Sequence, residues 1–470
     1  MSERDAVSDF VETAFEAEYL ACLSDYTRIP CLSPSFDPDW EATGAIAKAA
    51  RALCGFAEDR VLAGLSVSLE QLPGLTPVVL LELPATDRAR AASTTLVYGH
   101  YDKQPPLGPW RPGLDAFEPV RDGDHLYGRG TADDGYAMFA ILGALEGLAA
   151  AGRGHGRVVV LIEGSEESGS PHLEAYLDHL APRIGSPSLV ICLDSGCATY
   201  DRLWTTTSLR GVLVGTLRVD VLEEGVHSGH AGGIVPSPFR IARQLLSRIE
   251  DEDSGEILLE ELSSEIPSHR RREIAEVAAE FGASAAGVFP LVRGVVLAGD
   301  VADRLEAGTW RPALSITGQE GLPPVPDGGN VLLPSVTLKL SLRLPPNCDA
   351  VAAGASLRHA LEASPPNGAK VTVALESPAQ GWDSPAPAPW LREALEDASR
   401  RRFGAPPRAL GLGGSIPFMA ALGQRYPEAE FLATGVLGPG SNAHGPNEFL
   451  HLPTVKALSC SVADVLAAAP

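Results

Sequence analysis

The sequence predicts an α/β fold: a mostly parallel sheet flanked by helices, interrupted by an inserted α+β domain. Three observations carry that prediction. Short apolar runs end abruptly in polar loops, helical stretches alternate with them, and the texture changes from about Gly211 before returning near Trp390. Unbroken apolar strands suit a sheet covered on both faces. Strand–helix alternation is the pattern of an α/β layer structure.

Taken in order, residues 5–27 set Phe10, Ala14, Tyr19 and Leu20 near helical spacing, and a second amphipathic helix is expected over about 40–55. The run Thr94–Tyr98 enters Gly99-His-Tyr-Asp102, and Val158–Ile162 enters Glu163-Gly-Ser-Glu-Glu167. Leu189–Leu193 enters Asp194, and Phe431–Val436 enters a Gly-rich loop holding His444. Tyr136–Ala150 and Pro171–His179 read as helices between these strands. Beyond Gly211, Val212–Val221 alternates apolar and polar, as a strand with one wet face does. A helix over Pro238–Ile249, a charged stretch over 250–274 and a strand over Val331–Leu344 follow. The Pro-rich 378–389 reads as a linker before helix Trp390–Phe403. The expected organisation is one domain in two segments, 1–210 and 383–470, with 211–382 inserted.

Composition bounds the function. At 470 residues, 45% hydrophobic and 21% charged, the chain has material for large packed cores and for roughly two to three domains. With 60 Asp+Glu against 37 Lys+Arg, the net charge of −23 argues against nucleic-acid or anionic-membrane partners. No apolar stretch approaches the roughly 20 residues that span a bilayer. The opening MSERDAVSDF lacks a secretory signal, and 7 cysteines without a CxxC do not read as a disulfide framework. A soluble, cytoplasmic protein is expected.

The chemistry sits at the strand ends. His100 and Asp102 follow one strand, Asp133-Asp134 open a helix, Glu166-Glu167 and Asp194 follow two further strands, and His444 follows the last. Ligands bind beyond the carboxyl ends of strands in open α/β sheets. Singly, each residue has an ordinary explanation: a surface histidine, a helix-opening acid pair, a solvated loop. Together they converge carboxylates that cannot all stay ionised without a cation. Two histidines make that cation a first-row divalent metal, and a set larger than four ligands favours two ions.

These motifs, with Gly128-Arg-Gly-Thr-Ala-Asp-Asp134 and Val226-His-Ser-Gly-His-Ala-Gly-Gly233, closely resemble the M20 family of co-catalytic metallopeptidases, in particular its carnosinase and cytosolic dipeptidase branch. The resemblance runs from about residue 90 to 450; the first 90 residues carry none of the motifs. It implies a dipeptidase with two divalent metal ions per subunit in a homodimer; nitrogen and oxygen ligation permits Zn²⁺, Mn²⁺ or Co²⁺, of which Zn²⁺ or Mn²⁺ is expected. By resemblance, His100 and Asp194 are terminal ligands of one metal, Glu167 and His444 of the other, and Asp133 the bridge. Asp102 orients His100, and Glu166 is the general base for a hydroxide bridging the metals. A cis peptide is expected at Asp133-Asp134. His227 is expected to stabilise the oxyanion from the partner subunit's inserted domain, which acts as lid and dimerisation domain.

The same resemblance makes Arg343 a clamp for the substrate carboxylate, with Asn330 a polar contact from the inserted domain and Ser415 a contact from a loop of the catalytic domain. Two departures stand out. Gly135-Tyr136 follows the acid pair where relatives have Lys-Gly, and Leu412 stands where close relatives carry an acid. The latter opens an alternative substrate, an N-acyl amino acid, and an alternative activity as a deacylase or pathway-specific amidase. A non-catalytic dimeric binding protein would be marked by loss of Glu166 or a ligand, and none is missing. A serine hydrolase is disfavoured by the lack of a GxSxG elbow.

Overall fold

Four apolar strands, each too hydrophobic to leave a face in water, lie side by side and parallel: Arg157–Glu163, Thr94–His100, Leu189–Cys192 and Glu430–Ala433. This computed structural model describes residues 5–282, 289 and 291–470. The chain divides into two compact units: Met1–Thr207 with Ser384–Leu410 and Ala421–Pro470, and Ser208–Asp383 with Gly411–Ala420.

In the first unit the sheet is mixed rather than mostly parallel. Antiparallel strands Ser66–Glu70 and Val78–Leu83 extend one edge, and Trp204–Leu209 pairs antiparallel at the other. The reason is connection length. Gln71–Pro77 is too short for the crossover that parallel strands require. This hairpin lies in the first 90 residues, which carry none of the motifs.

Helix Ala137–Ala150 is apolar nearly all round and is buried along almost its whole length, as that pattern demands. It packs against Ala6–Ala14 and the C-terminal helix Leu452–Ala468. Phe139 closes an aromatic cluster with Phe56 (ring centroids 4.7 Å apart) and, through Phe56, Tyr19 (5.2 Å). The helix expected over 5–27 runs from Ala6 to Thr27 with a π turn at Phe15–Tyr19. The one expected over 40–55 is broken at Gly44, whose φ of +68° is left-handed and suits glycine.

The second unit is α+β. Its antiparallel sheet has the order Ala313–Glu320, Ser335–Leu344, Gly211–Asp220, Lys370–Leu375. Strict alternation in Gly211–Asp220 and Ser335–Leu344 sends Leu213, Leu217, Leu340 and Leu342 to one face, beneath helices Pro238–Leu246 and Ala350–Glu362. The strand expected over Val331–Leu344 is two strands, Val331–Leu332 and Ser335–Leu344, separated at Pro334, which has no N–H for a ladder. Gly411–Ala420 belongs to this unit and not to one continuous 383–470 segment. Hydrogen bonds tie it there: Arg210 Nε donates to the Gly413 carbonyl (3.2 Å), and Ser415 Oγ donates to the Arg210 carbonyl (2.6 Å).

Candidate active site

His100 is the last residue of its strand, and the loops after the neighbouring parallel strands carry Glu166-Glu167, Asp194 and His444. Parallel pairing puts all these strand ends on one edge of the sheet. Asp133-Asp134, joined by a cis peptide, lies just before the helix that begins at Ala137. Two groups of three result, His100–Asp133–Asp194 and Asp133–Glu167–His444, each offering ligand atoms within 4.8 Å of one another. Asp133 belongs to both. Its Oδ1 is 3.2 Å from His100 Nε2, and its Oδ2 is 3.0 Å from His444 Nε2. Glu167 Oε2 lies 3.1 Å from His444 Nε2, and Asp194 Oδ2 lies 3.9 Å from His100 Nε2.

Asp102 is completely buried and serves two loops at once. Its Oδ1 accepts from the Glu166 backbone N–H and its Oδ2 from that of Glu167, both at 3.0 Å. The same Oδ1 is 3.4 Å from His100 Nδ1, which also faces the Asp102 carbonyl at 3.1 Å. That leaves Nε2 of His100 directed at Asp133. Glu167 is further held by Gln104, whose Nε2 donates to Oε2 at 2.8 Å. Glu166 has no hydrogen bond to its carboxylate among the described residues, so its carboxyl is left unengaged within the site.

The electrostatics show what the cluster lacks. Among the described residues, no lysine or arginine pairs with Asp133, Glu167 or Asp194. Burial pushes Asp194 up to about 7, with Asp133 adding to it against the pull of His100. Burial likewise raises Glu166, beside Asp194, and Glu167, beside Asp133. Burial would also raise Asp133, but hydrogen bonds from His100 and His444 outweigh it and hold its carboxyl below the usual range. Burial works against charge on both histidines, yet their carboxylate partners win and raise them, His444 to about 11. Asp134 accepts from the His100 backbone N–H through Oδ2 (3.2 Å), while its buried Oδ1 has no partner. Among the described residues, His100 and His444 are the only groups paired with these carboxylates that can carry a positive charge. A nitrogen- and oxygen-rich set with this surplus of acid fits divalent metal ions.

The remaining expected residues lie in the second unit. His227 ends the short strand Val226–His227, is exposed, and accepts from the Gly229 N–H through Nδ1 (3.2 Å). Asn330 is its neighbour: its carbonyl accepts from the Ser228 N–H at 2.9 Å, beside the pairing of His227 with Val331. Arg343 is half-buried, and its Nη1 donates to Ser415 Oγ at 3.0 Å. Arg210 approaches the same turn. Burial lowers its pKa to about 10, with Arg343 contributing.

One residue absent from the sequence reading organises the Asp133 loop. Glu448 is fully buried, and its Oε1 accepts from the backbone N–H groups of Gly130 (3.0 Å), Ala132 (3.1 Å) and Asp133 (3.2 Å). Its Oε2 meets Arg129 Nη1 at 2.7 Å, also out of water. Only its place before the apolar Phe449-Leu450 hinted at burial, and nothing in the spacing named its partners.

Residues 96–468 match the profile of peptidase family M20/M25/M40, and the chain belongs to that family. It is accordingly a hydrolase and a metallopeptidase. Its relatives include the cysteinylglycine-S-conjugate dipeptidase of Corynebacterium striatum, 29% identical over 80% of this chain and 81% of the relative. The human β-Ala-His dipeptidase is 27% identical over 64% of this chain and 60% of its own length. Among solved structures, the dipeptidase Dug1p of Saccharomyces cerevisiae shares the fold with a TM-score of 0.76 at 22% identity, over 98% of both chains. Human carnosine dipeptidase 1 does so with a TM-score of 0.75 at 21% identity, again over 98% of both.

Proposed function

We propose that the chain hydrolyses the amide bond of a dipeptide or small peptide using two divalent metal ions. The observation that carries this is the placement of Asp133, whose two oxygens face one histidine each, 3.2 and 3.0 Å away, in two ligand groups that share it. His100 and Asp194 would hold one ion, His444 and Glu167 the other, and Asp133 both. Zn²⁺ and Mn²⁺ both suit imidazole and carboxylate donors. The dications, when bound, supply Lewis acidity for the scissile carbonyl and lower the pKa of a water. Glu166, gripped only through its backbone by Asp102, takes the proton of the attacking water and returns it to the leaving amine.

Arg343 receives the substrate's α-carboxylate, with Ser415 fixing its guanidinium. His227 and Asn330 act from the inserted domain of a partner subunit in a homodimer, His227 as an oxyanion donor. The exposure of His227 in the single chain supports that role. No helix among the described residues is long and apolar enough to cross a membrane, and the acidic balance supports an enzyme without nucleic-acid partners. A second reading, hydrolysis of N-acyl amino acids, is favoured by Leu412, an apolar side chain at the end of strand Arg408–Leu412.

The test is elemental analysis of purified protein joined to an activity screen over dipeptides and N-acyl amino acids. Two metal equivalents and dipeptide turnover are expected. Glu166→Ala should keep both equivalents and lose about 10²–10⁴ in kcat. Retained turnover in that variant removes Glu166 from the mechanism.

A further inference from the structure

The first 90 residues carry none of the metal-site motifs, yet the segment from Tyr26 to Ser35 touches three of the loops that do. Lys103, next to Asp102, is completely buried. Its Nζ donates to the carbonyls of Tyr26 (3.1 Å), Thr27 (3.0 Å) and Ile29 (2.8 Å), at the C-terminal end of helix Leu20–Thr27. A helix C-terminus carries partial negative charge and unsatisfied carbonyls, so a cation is stable there. The ammonium also lies 4.1 Å from the Tyr26 ring centroid. Among the described residues it has no carboxylate partner, and its hydrogen-bond acceptors are backbone oxygens.

Two of the loops converge on this cage, and the third meets the same N-terminal segment a few residues on, at Ser33 and Ser35. Lys103 N–H donates to the Cys31 carbonyl and the Lys103 carbonyl accepts from Ser33 N–H, both at 3.0 Å, while Tyr26 Oη donates to the Tyr101 carbonyl at 2.7 Å. That fixes the loop after His100. A Cβ added at Gly130 would stand 2.6 Å from Lys103 Cε, and one at Gly135 would stand 2.2 Å from Tyr26 Cε1. The loop bearing Asp133 therefore packs directly on the same two side chains. On the third side, Ser168, next to Glu167, meets Ser33 Oγ through its own Oγ (2.5 Å), and that Oγ accepts from the Ser35 N–H (2.9 Å).

We propose that Lys103 is a positioning residue: caged by the N-terminal segment, it fixes the loops that carry His100 and Asp133 against that segment, which also tethers the Glu167 loop through Ser33 and Ser35. The inference rests on the metal-site reading above. It assigns the N-terminal segment a task at the site, and locates the consequence of disturbing it in metal affinity and kcat rather than in KM.

Three variants test it. Lys103→Met keeps an unbranched stem and deletes the cation. Ser168→Ala removes only the third tether, and serves if the first variant does not fold. Leu466→Ala, in the core of helix Leu452–Ala468, lowers stability without touching any loop of the site. Each is titrated with Zn²⁺ and Mn²⁺ by calorimetry and assayed for kcat and KM on a dipeptide. Lys103→Met should bind metal about tenfold more weakly and Ser168→Ala about threefold, with lower kcat and KM within about twofold. Leu466→Ala should bind as the unmodified protein does. Unchanged affinity in both loop variants, or an equal loss in Leu466→Ala, overturns the proposal. Unmodified protein that binds no divalent metal overturns the site reading, and this proposal with it.

Discussion

Replacing Glu448 by alanine removes the acceptor from which the Asp133 loop hangs. The carboxylate accepts from the N–H groups of Gly130, Ala132 and Asp133 and pairs with Arg129 at 2.7 Å, all out of water. Breaking a buried ion pair by deleting one partner destabilises by about 3–5 kcal/mol. Each orphaned buried N–H adds about 1–3 kcal/mol where water does not replace the lost acceptor. Arg129 keeps its Nη2 bond to the Gly445 carbonyl (2.7 Å), and the space left by the side chain admits water, so these losses do not add fully. A net loss of about 4–6 kcal/mol is expected. At about 2–4 °C per kcal/mol for a unit of this size, Tm falls by about 8–24 °C. Burial pushes the Glu448 carboxyl up to about 7, so differential scanning calorimetry is run at pH 8, where it is ionised. Glu448→Gln, which retains one acceptor but turns an amide N–H₂ toward Arg129, should lose about half as much. A fall of less than about 3 °C in Glu448→Ala would refute the view that this carboxylate holds the loop.

Asp133→Asn should deplete both metal positions, whereas Asp194→Ala should deplete one; elemental analysis showing one full equivalent in Asp133→Asn removes the bridging role. Arg343→Ala should raise KM at least tenfold for dipeptides with a free α-carboxylate and leave their amides nearly unaffected, and an equal effect on both would take Arg343 out of carboxylate recognition. Glu16 offers a pH test. Hydrogen bonds from Arg121, at 2.7 and 3.1 Å, and from Lys456, at 2.7 Å, hold its pKa down to about 2. A carboxyl with a depressed folded pKa stabilises fully above its unfolded value, about 4.3, and loses that contribution as pH falls toward 2. The stability gap between the unmodified protein and Glu16→Gln should therefore close between those limits, and a gap constant from pH 6 to pH 2 contradicts the assignment.

Legibility in the sequence differed by element. Strands whose apolar runs end in polar loops were readable because burial on both faces leaves an unbroken hydrophobic run, and the four parallel strands lie where that pattern placed them. The hairpin 66–83 and the helix Leu452–Ala468 carry none of the metal-site motifs, so nothing local marks them. The candidate ligands could be named because each sits at the C-terminal end of a strand or the start of a helix, where local sequence and geometry coincide. Glu448, Lys103 and Ser168 could not, since each acts on backbone groups of another loop.

By itself, then, the sequence determined which residue types stand at the strand ends, that their acids outnumber any local cation, and that a second, alternating texture interrupts the first. Those are short-range properties, written in periodicity and in residue chemistry. Only the tertiary structure decided that Asp133 turns one oxygen to each histidine, that the N-terminal helix ends around a lysine beside the site, and that Gly411–Ala420 joins the second unit. The physical reason is sequence distance. Glu448 and Arg129 are 319 positions apart, and a contact between a buried charge and distant backbone donors leaves no period in the chain between them.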